Sequence, residues 1–223
     1  MKNLNKNKVD FHNKIVLLGG GGHSRSVIDA MDGKYSIVGF VDEVSTGNIL
    51  EIPYFGNDDD LKRMTNKSEF LIHICFAGAY TLNKRRDLFH KFKQEGWAFA
   101  SLISPTALFS KASSLDEGTI IMANAFCGPF TQIGKNVIVN NGVHIEHDCI
   151  IDSHCHLAPR SLIAGEVMIG EGCFIGAGTI IKENLKIGEG AIIGAGLVIY
   201  GNVPSGAKLI SQADMDELRS SSK

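Results

Sequence analysis

From Ile103 to Pro204 the chain repeats in sixes. The stretch divides into 17 hexads without a break, and 16 of them open on a large apolar residue, among them Ile121, Val139, Ile145, Leu157, Ile163 and Ile181; the remaining one opens on Cys127. The fifth place is mostly small or β-branched, as at Ala125, Thr131, Cys149, Ser161 and Thr179. Places two to four carry most of the glycine, amide and charge. A period of six matches neither the 3.6 of a helix nor the alternation of a strand. It predicts a short strand and a turn, repeated, with two side chains per repeat pointing inward, which is the pattern of a parallel β-helix. One hexad cannot bury its own isoleucine, so each coil must stack on its neighbours. With three hexads per coil, every residue lies above the one 18 places earlier. Five to six coils at about 4.8 Å each make a three-sided column about 27 Å tall.

Residues 14–100 follow a different pattern. KIVLL (14–18), SIVGFVD (36–42) and FLIHICFAG (70–78) are apolar runs of strand length. Residues 24–32 read as a helix. Residues 82–96 read as an amphipathic helix with Leu82, Leu88, Phe89 and Phe92 on one face, the basic residues opposite and Gly96 at its end. Strands alternating with helices predict a small Rossmann-like parallel sheet, so the fold class is an α/β N-terminal domain followed by an all-β column. The expected divisions are a tail at 1–13, the α/β domain at 14–100, the column at 101–204 and a C-terminal tail at 205–223. In the last, Ser211 and Asp214 have the spacing to cap a short helix over 212–219, and a disordered tail is the alternative.

Composition narrows the class. A net charge of −2 argues against a general nucleic-acid or acidic-membrane surface. No apolar run is long enough to cross a bilayer, so no membrane span is expected, and residues 1–14 lack the apolar core of a secretory signal. The five cysteines include no CxxC pair. Cys149, Cys155 and Cys173 fall at the inward fifth place and read as buried thiols in a reducing compartment, the cytoplasm.

Ligands of small parallel sheets sit beyond the C-terminal strand ends. That edge collects Gly19–His23, Asp42, Glu43 and Gly78. Gly19-x-Gly21 partly matches the dinucleotide fingerprint, and Asp42 follows Gly19 by 23 residues, near the spacing of a ribose-binding acid. A nicotinamide site, a purely structural turn and a different nucleotide-containing ligand all remain open. About 85 residues are too few for the two-half sheet a dinucleotide needs. Glycines at a helix N-terminus let backbone N–H groups approach an anion.

Within the column, residues 140–165 break the plain pattern. His144, His147, His154 and His156 lie there, half of the eight histidines in the chain. His147 is the third residue of its hexad, which places it on the outer surface near a corner with Asp148 beside it. Gly165 lies one coil on, directly above, where a missing side chain leaves a hollow. An exposed imidazole with a carboxylate neighbour is suited to act as a general base. Solvated surface histidines are the plain alternative.

LLGGGGHSRSV (17–27), GFVDE (39–43), FAGA (76–79), NNGVHIEHDCIID (140–152), HLAP (156–159) and the hexads together resemble the left-handed β-helix sugar acyltransferases. The similarity is to the family that N-acetylates nucleotide-linked amino sugars and includes sialic acid O-acyltransferase relatives. It spans about residues 14–204. By that resemblance His147 is the catalytic base, Asp148 the acid that raises its basicity, in place of the family's usual Glu, and Asn140 an amide near the reacting centre. His156, Gly165, Ala177 and Ala195 then line the acetyl-CoA channel. Gly21, Gly22, His23, Asp42, Glu43 and Gly78 hold the nucleotide and its sugar, with Arg85 or Arg86 facing the diphosphate and the other solvated. The resemblance implies direct transfer from acetyl-CoA to an amino group, without metal, in a homotrimer. The most fitting acceptor is a UDP-4-amino-4,6-dideoxyhexose used for bacterial surface glycan. The family's closing Gly-x-Pro-Ala-Lys segment is absent from VPSGAKLISQ. Three other readings stay open: O-acetylation of a sialic-type sugar, a zinc-dependent hydratase using the four histidines, and a non-enzymatic nucleotide-sensing trimer.

Overall fold

The computed structural model describes residues 14–31, 34–44, 47–64 and 67–221. The tail expected at 1–13 lies outside the described residues, as does the last residue of the expected first helix. Three parallel strands, β1 (Lys14–Leu18), β2 (Ser36–Val41) and β3 (Leu71–Ile74), form a sheet in the order β2-β1-β3. Helix α1 (Gly22–Ala30) follows β1, α2 (Asp58–Met64) precedes β3, and α3 (Leu82–Gln94) follows it. The near-continuous apolar runs of β1 and β3 suit strands covered on both faces. Val16, Leu18, Ile72 and Ile74 pack with Phe89, Phe92 and Trp97 on one side, and Ile15 and Leu17 with Val27 and Phe40 on the other.

The column begins at β4 (Leu102–Ile103) and runs through two-residue strands to β20 (Val198–Ile199), closing with β21 (Lys208–Leu209). Its strands sort into three parallel sheets of seven, six and five, one per face. Pairing steps by 18, as in Ile120↔Ile138 and His144↔Leu162. The first-place residues and the fifth-place Val137, Val143, Cys149, Cys155, Val167 and Cys173 share one buried core. Each turn from Gly118 to Gly196 admits one left-handed residue, filled by Gly118, Gly142, Gly172, Gly178 and others, but also by Asn124, Asp148 and Arg160.

The rhythm shortens at the top. Ile187 bridges Val203 and Ile192 pairs with Lys208, offsets of 16 rather than 18. After Leu209 the chain forms α4 (Gln212–Ser221). Asp214 caps it, its Oδ2 accepting from the N–H groups of Ile210 (2.6 Å) and Ser211 (2.8 Å), while the Asp214 N–H donates to Ser211 Oγ (3.3 Å).

The residue just before each hexad opener faces outward. On the first face Leu102, Ile120 and Ile138 are buried, because the N-terminal domain lies on them: they share a cluster with Ile15, Leu17, Val27 and Phe40. On the second face Leu108, Leu162, Ile180 and Val198 are exposed. The third face shows Ser114, Gln132, Met168 and Lys186. No described helix is long and apolar enough to cross a membrane.

Candidate active site

His147 and Asp148 occupy the turn between the strands His144–Ile145 and Ile150–Ile151, hence the corner joining the second and third faces. Both are exposed. Asp148 sits at the turn's left-handed position (φ 58°), which carboxylate and amide side chains tolerate better than most. There its Oδ2 lies 2.9 Å from His147 Nδ1. A donating Nδ1–H leaves the Nε2 lone pair free to accept a proton. The ring lies across Gly165, one coil above. A Cβ built there would come within 2.7 Å of both Cε1 and Nε2 of His147. The ring therefore occupies the hollow that the missing side chain leaves.

Asn140 is on a different corner, the one joining the first and second faces. Its Nδ2 donates to His156 Nε2 (3.3 Å). Ala177 and Ala195 repeat along the same corner, one and two coils above Pro159. Both are exposed, and their N–H groups take no part in the ladder that ties coil to coil, whereas Gly178 and Gly196 donate to Pro159 O (3.0 Å) and Ala177 O (2.8 Å). A Cβ on Gly176 would strike the Gly194 backbone at 2.4 Å, so the coils approach here as only glycine permits. The result is a smooth backbone rail with free donors, which fits the amides of a pantetheine arm. Within one chain this rail and His147 are on different corners.

The four histidines do not share one surface. His144 is part-exposed, with Nε2 2.9 Å from Glu146 Oε1 and its ring stacked on Phe126 at 4.5 Å. His154 and His156 are only 5% and 4% exposed, because they lie on or beside the face that the N-terminal domain covers. His154 accepts from Asn136 Nδ2 (2.9 Å) and packs against Phe89 and His90 of α3. Burial, with the cationic neighbourhood of His90, Arg86, Arg85 and Lys135, lowers its pKa to about 4. Burial likewise brings His156 down to about 3, aided by His23 and Arg85. Among the described residues no group of three or more His, Cys, Asp or Glu side chains is placed to hold a metal ion.

The other candidates gather at the C-terminal edge of the small sheet. Gly19 adopts φ +116°, a conformation other residues rarely reach, and its O accepts from Ser24 Oγ (2.7 Å). Ser24 Oγ also reaches Cys75 O (3.0 Å), joining the loops after β1 and β3. Asp42 Oδ2 accepts from the Gly20 N–H at 2.6 Å and so fixes the glycine loop, and its Oδ1 lies 3.4 Å from the Val44 N–H. Gly21 and Gly22 are exposed at the start of α1, with no side chain capping them. Glu43 is exposed and lies 3.8 Å from Lys84 Nζ. Gly78 (φ +140°) opens a short 3-10 turn over Ala79–Thr81. His23 is largely buried, and burial with the Arg85 charge lowers its pKa to about 4.

Arg85 corrects the expectation of a diphosphate ligand or a solvated cation. It is 1% exposed, and its Nη1 donates to the carbonyls of Ile74 (2.6 Å) and Phe76 (3.2 Å). Residues 82, 85, 89 and 92 fall on one helical stripe, so Arg85 belongs to the buried face of α3 rather than the basic one. Burial without a carboxylate partner lowers its pKa to about 10. Arg86 is half-buried and its Nε lies 3.7 Å from Asp87 Oδ1.

A column of hexapeptide coils preceded by a small parallel sheet is the architecture of an acyltransferase built on a left-handed β-helix. Residues 14–91 match the PglD N-terminal domain, and residues 130–165 and 166–201 match the six-repeat bacterial transferase hexapeptide. The acetyltransferase domain of PglB from Neisseria gonorrhoeae FA1090, solved with acetyl coenzyme A, is 27% identical with a TM-score of 0.83, over 88% of this chain and 95% of that one. PerB from Caulobacter crescentus, solved with CoA and GDP-perosamine, is 29% identical with a TM-score of 0.81, over 89% and 94%. WeeI from Acinetobacter baumannii AYE shares the fold at 21% identity and a TM-score of 0.77, over 88% and 96%.

Proposed function

We propose that this protein transfers an acetyl group from acetyl-CoA to the amino group of a nucleotide-linked amino sugar. The acceptor we favour is a UDP-4-amino-4,6-dideoxyhexose destined for bacterial surface glycan, and the setting is the cytoplasm. The carrying observation is the His147–Asp148 pair, with Nε2 unengaged over the Gly165 hollow on an exposed corner. In this reading Nε2 takes a proton from the amine as nitrogen adds to the thioester carbonyl, and Asp148 stabilises the imidazolium. A backbone N–H stabilises the oxyanion, collapse releases the CoA thiolate, and the proton held on His147 passes to sulfur. The Ala177 and Ala195 N–H groups hold the pantetheine amides, while Gly21, Gly22, His23, Glu43 and Gly78 form the nucleotide-sugar seat. Alignment of the two ligands supplies much of the acceleration.

A complete site in this reading requires a homotrimer. His147 and the Asn140–His156–Ala177 group sit on different corners of one column, so the corner of one chain must combine with the rail of another. The exposed apolar row on the second face, with Leu162 and Ile180 at its centre, is a surface that such an assembly would cover. The test is release of free thiol from acetyl-CoA against a panel of nucleotide-linked amino sugars, with mass detection of the product. Turnover with an amino acceptor that collapses in His147→Ala supports the proposal. Turnover only with hydroxyl acceptors, or unchanged turnover in His147→Ala, defeats it.

A further inference from the structure

The column stops at its upper rim, where its three sheets end in strand edges. In lower coils each upward N–H meets a backbone carbonyl of the coil above, as Ile180 N–H donates to Leu197 O (2.8 Å) and Met168 N–H to Leu185 O (2.9 Å). At the rim side chains stand in for that carbonyl. On the third face Lys186 N–H donates to Asn202 Oδ1 (2.8 Å). On the second face Gln212 acts in both directions: its Oε1 accepts from Val198 N–H (3.4 Å) and its Nε2 donates to Val198 O (3.4 Å). On the first face Asp214 Oδ2 accepts from the Ile210 N–H just after β21 (2.6 Å). Gln212 and Asp214 both belong to α4. Asp216, four residues after Gln212 and so on the same side of the helix, accepts from Tyr200 Oη. Helix α4 therefore lies over the rim, capped by Asp214 and tied down through Gln212 and Asp216.

An uncovered strand edge is a template for another strand. At the lower end the N-terminal domain shields the first sheet: Ile103 N–H donates to Tyr35 Oη (3.1 Å), and Ile103 O accepts from Lys34 Nζ (2.7 Å). Once α4 leaves, the upper rim is the end that another column can approach, and exposed Ile210 adds an apolar contact there. A lower end cannot serve as the partner, because its first edge is already occupied. Rim against rim is the arrangement left. A twofold axis then sets the paired strands antiparallel and closes the contact at two units, with no growth into a filament. We infer that α4 is an end cap that keeps the column from pairing rim to rim with a second copy of this chain. The inference rests on the rim alone and is independent of the transfer chemistry.

The test compares full-length wild type, Gln212→Ala and a variant carrying Gln212→Ala, Asp214→Ala and Asp216→Ala together. Sedimentation velocity over a wide range of concentration reads the mass. Amide hydrogen exchange at Ile210 and Ser211 reads whether the cap has lifted. Gln212 and Asp216 are exposed and Asp214 is half-buried, so the column should melt as in wild type. Wild type should keep one mass throughout. The combined variant should exchange these amides faster and reach about twice the wild-type mass as concentration rises. Gln212→Ala, which keeps two of the ties, should double only at higher concentration. Faster exchange with an unchanged mass overturns the inference. Exchange at the wild-type rate in the combined variant also overturns it, since those contacts then do not hold α4. Open-ended growth in place of doubling overturns the rim-to-rim geometry.

Discussion

Gly165→Ala tests the catalytic geometry without touching a charged group. The backbone at Gly165 is not in the left-handed region, so alanine is conformationally acceptable there. The new methyl would lie 2.7 Å from Cε1 and Nε2 of His147, whereas ordinary contact begins at 3.4 Å and extends to 4 Å. The imidazole must therefore retreat until that separation opens from 2.7 Å to at least 3.4 Å. It can do so cheaply, because His147 is exposed and anchored only through Asp148. Stability should then hold or rise by about 0.4–1 kcal/mol from the reduced freedom of the unfolded chain. Catalysis should suffer, since a misplacement of about 1 Å can cost about a hundredfold in rate. Thiol release measured beside thermal melting reads both quantities. A variant that melts like wild type and turns over within about threefold of it would show that the ring position over Gly165 is not the working one.

The other expectations are independent of that variant. Asp148→Asn keeps a side chain that tolerates φ 58° but removes the charge that stabilises the imidazolium; about a tenfold fall in kcat is expected with little change in KM, and an unchanged kcat would remove Asp148 from the mechanism. His23 and His154, lowered to about 4, and His156, lowered to about 3, are neutral in the folded protein at pH 5. Unfolding raises each toward 6.5, so the unfolded state binds more protons below that pH. Stability is then level above about pH 6.5 and falls as pH drops from there toward about 3–4, by up to about 1.4 kcal/mol per histidine per unit. Urea midpoints at pH 7 and pH 5 check this, and equal midpoints would refute it. Ile180→Glu puts a charge in the centre of the exposed second-face row. Light scattering should show the proposed trimer in wild type and monomer in the variant, and a variant that stays trimeric would place the interface elsewhere.

Much of this architecture is written locally. The six-residue period alone specifies the column, because each inward isoleucine needs a neighbour one coil away. The same spacing puts Gly165 over His147, and chain adjacency puts Asp148 beside the ring. The strands at 14–18, 36–41 and 71–74 follow from apolar runs of the right length, and Ser211 with Asp214 marks the helix that closes the chain. What tertiary structure alone decided concerns surfaces that look alike in sequence. Outward positions on the first and second faces carry similar apolar residues, so nothing in the hexads says that the N-terminal domain covers the first face and buries His154 and His156 while leaving His144 and His147 in water. Arg85 reads as one more basic residue on α3 until the carbonyls of Ile74 and Phe76 are seen to close over it. That Asp42 also braces the glycine loop shows only when the Gly20 N–H is found on its carboxylate. Periodicity fixes which way a side chain points along its own element, whereas burial depends on what another part of the chain brings to that place.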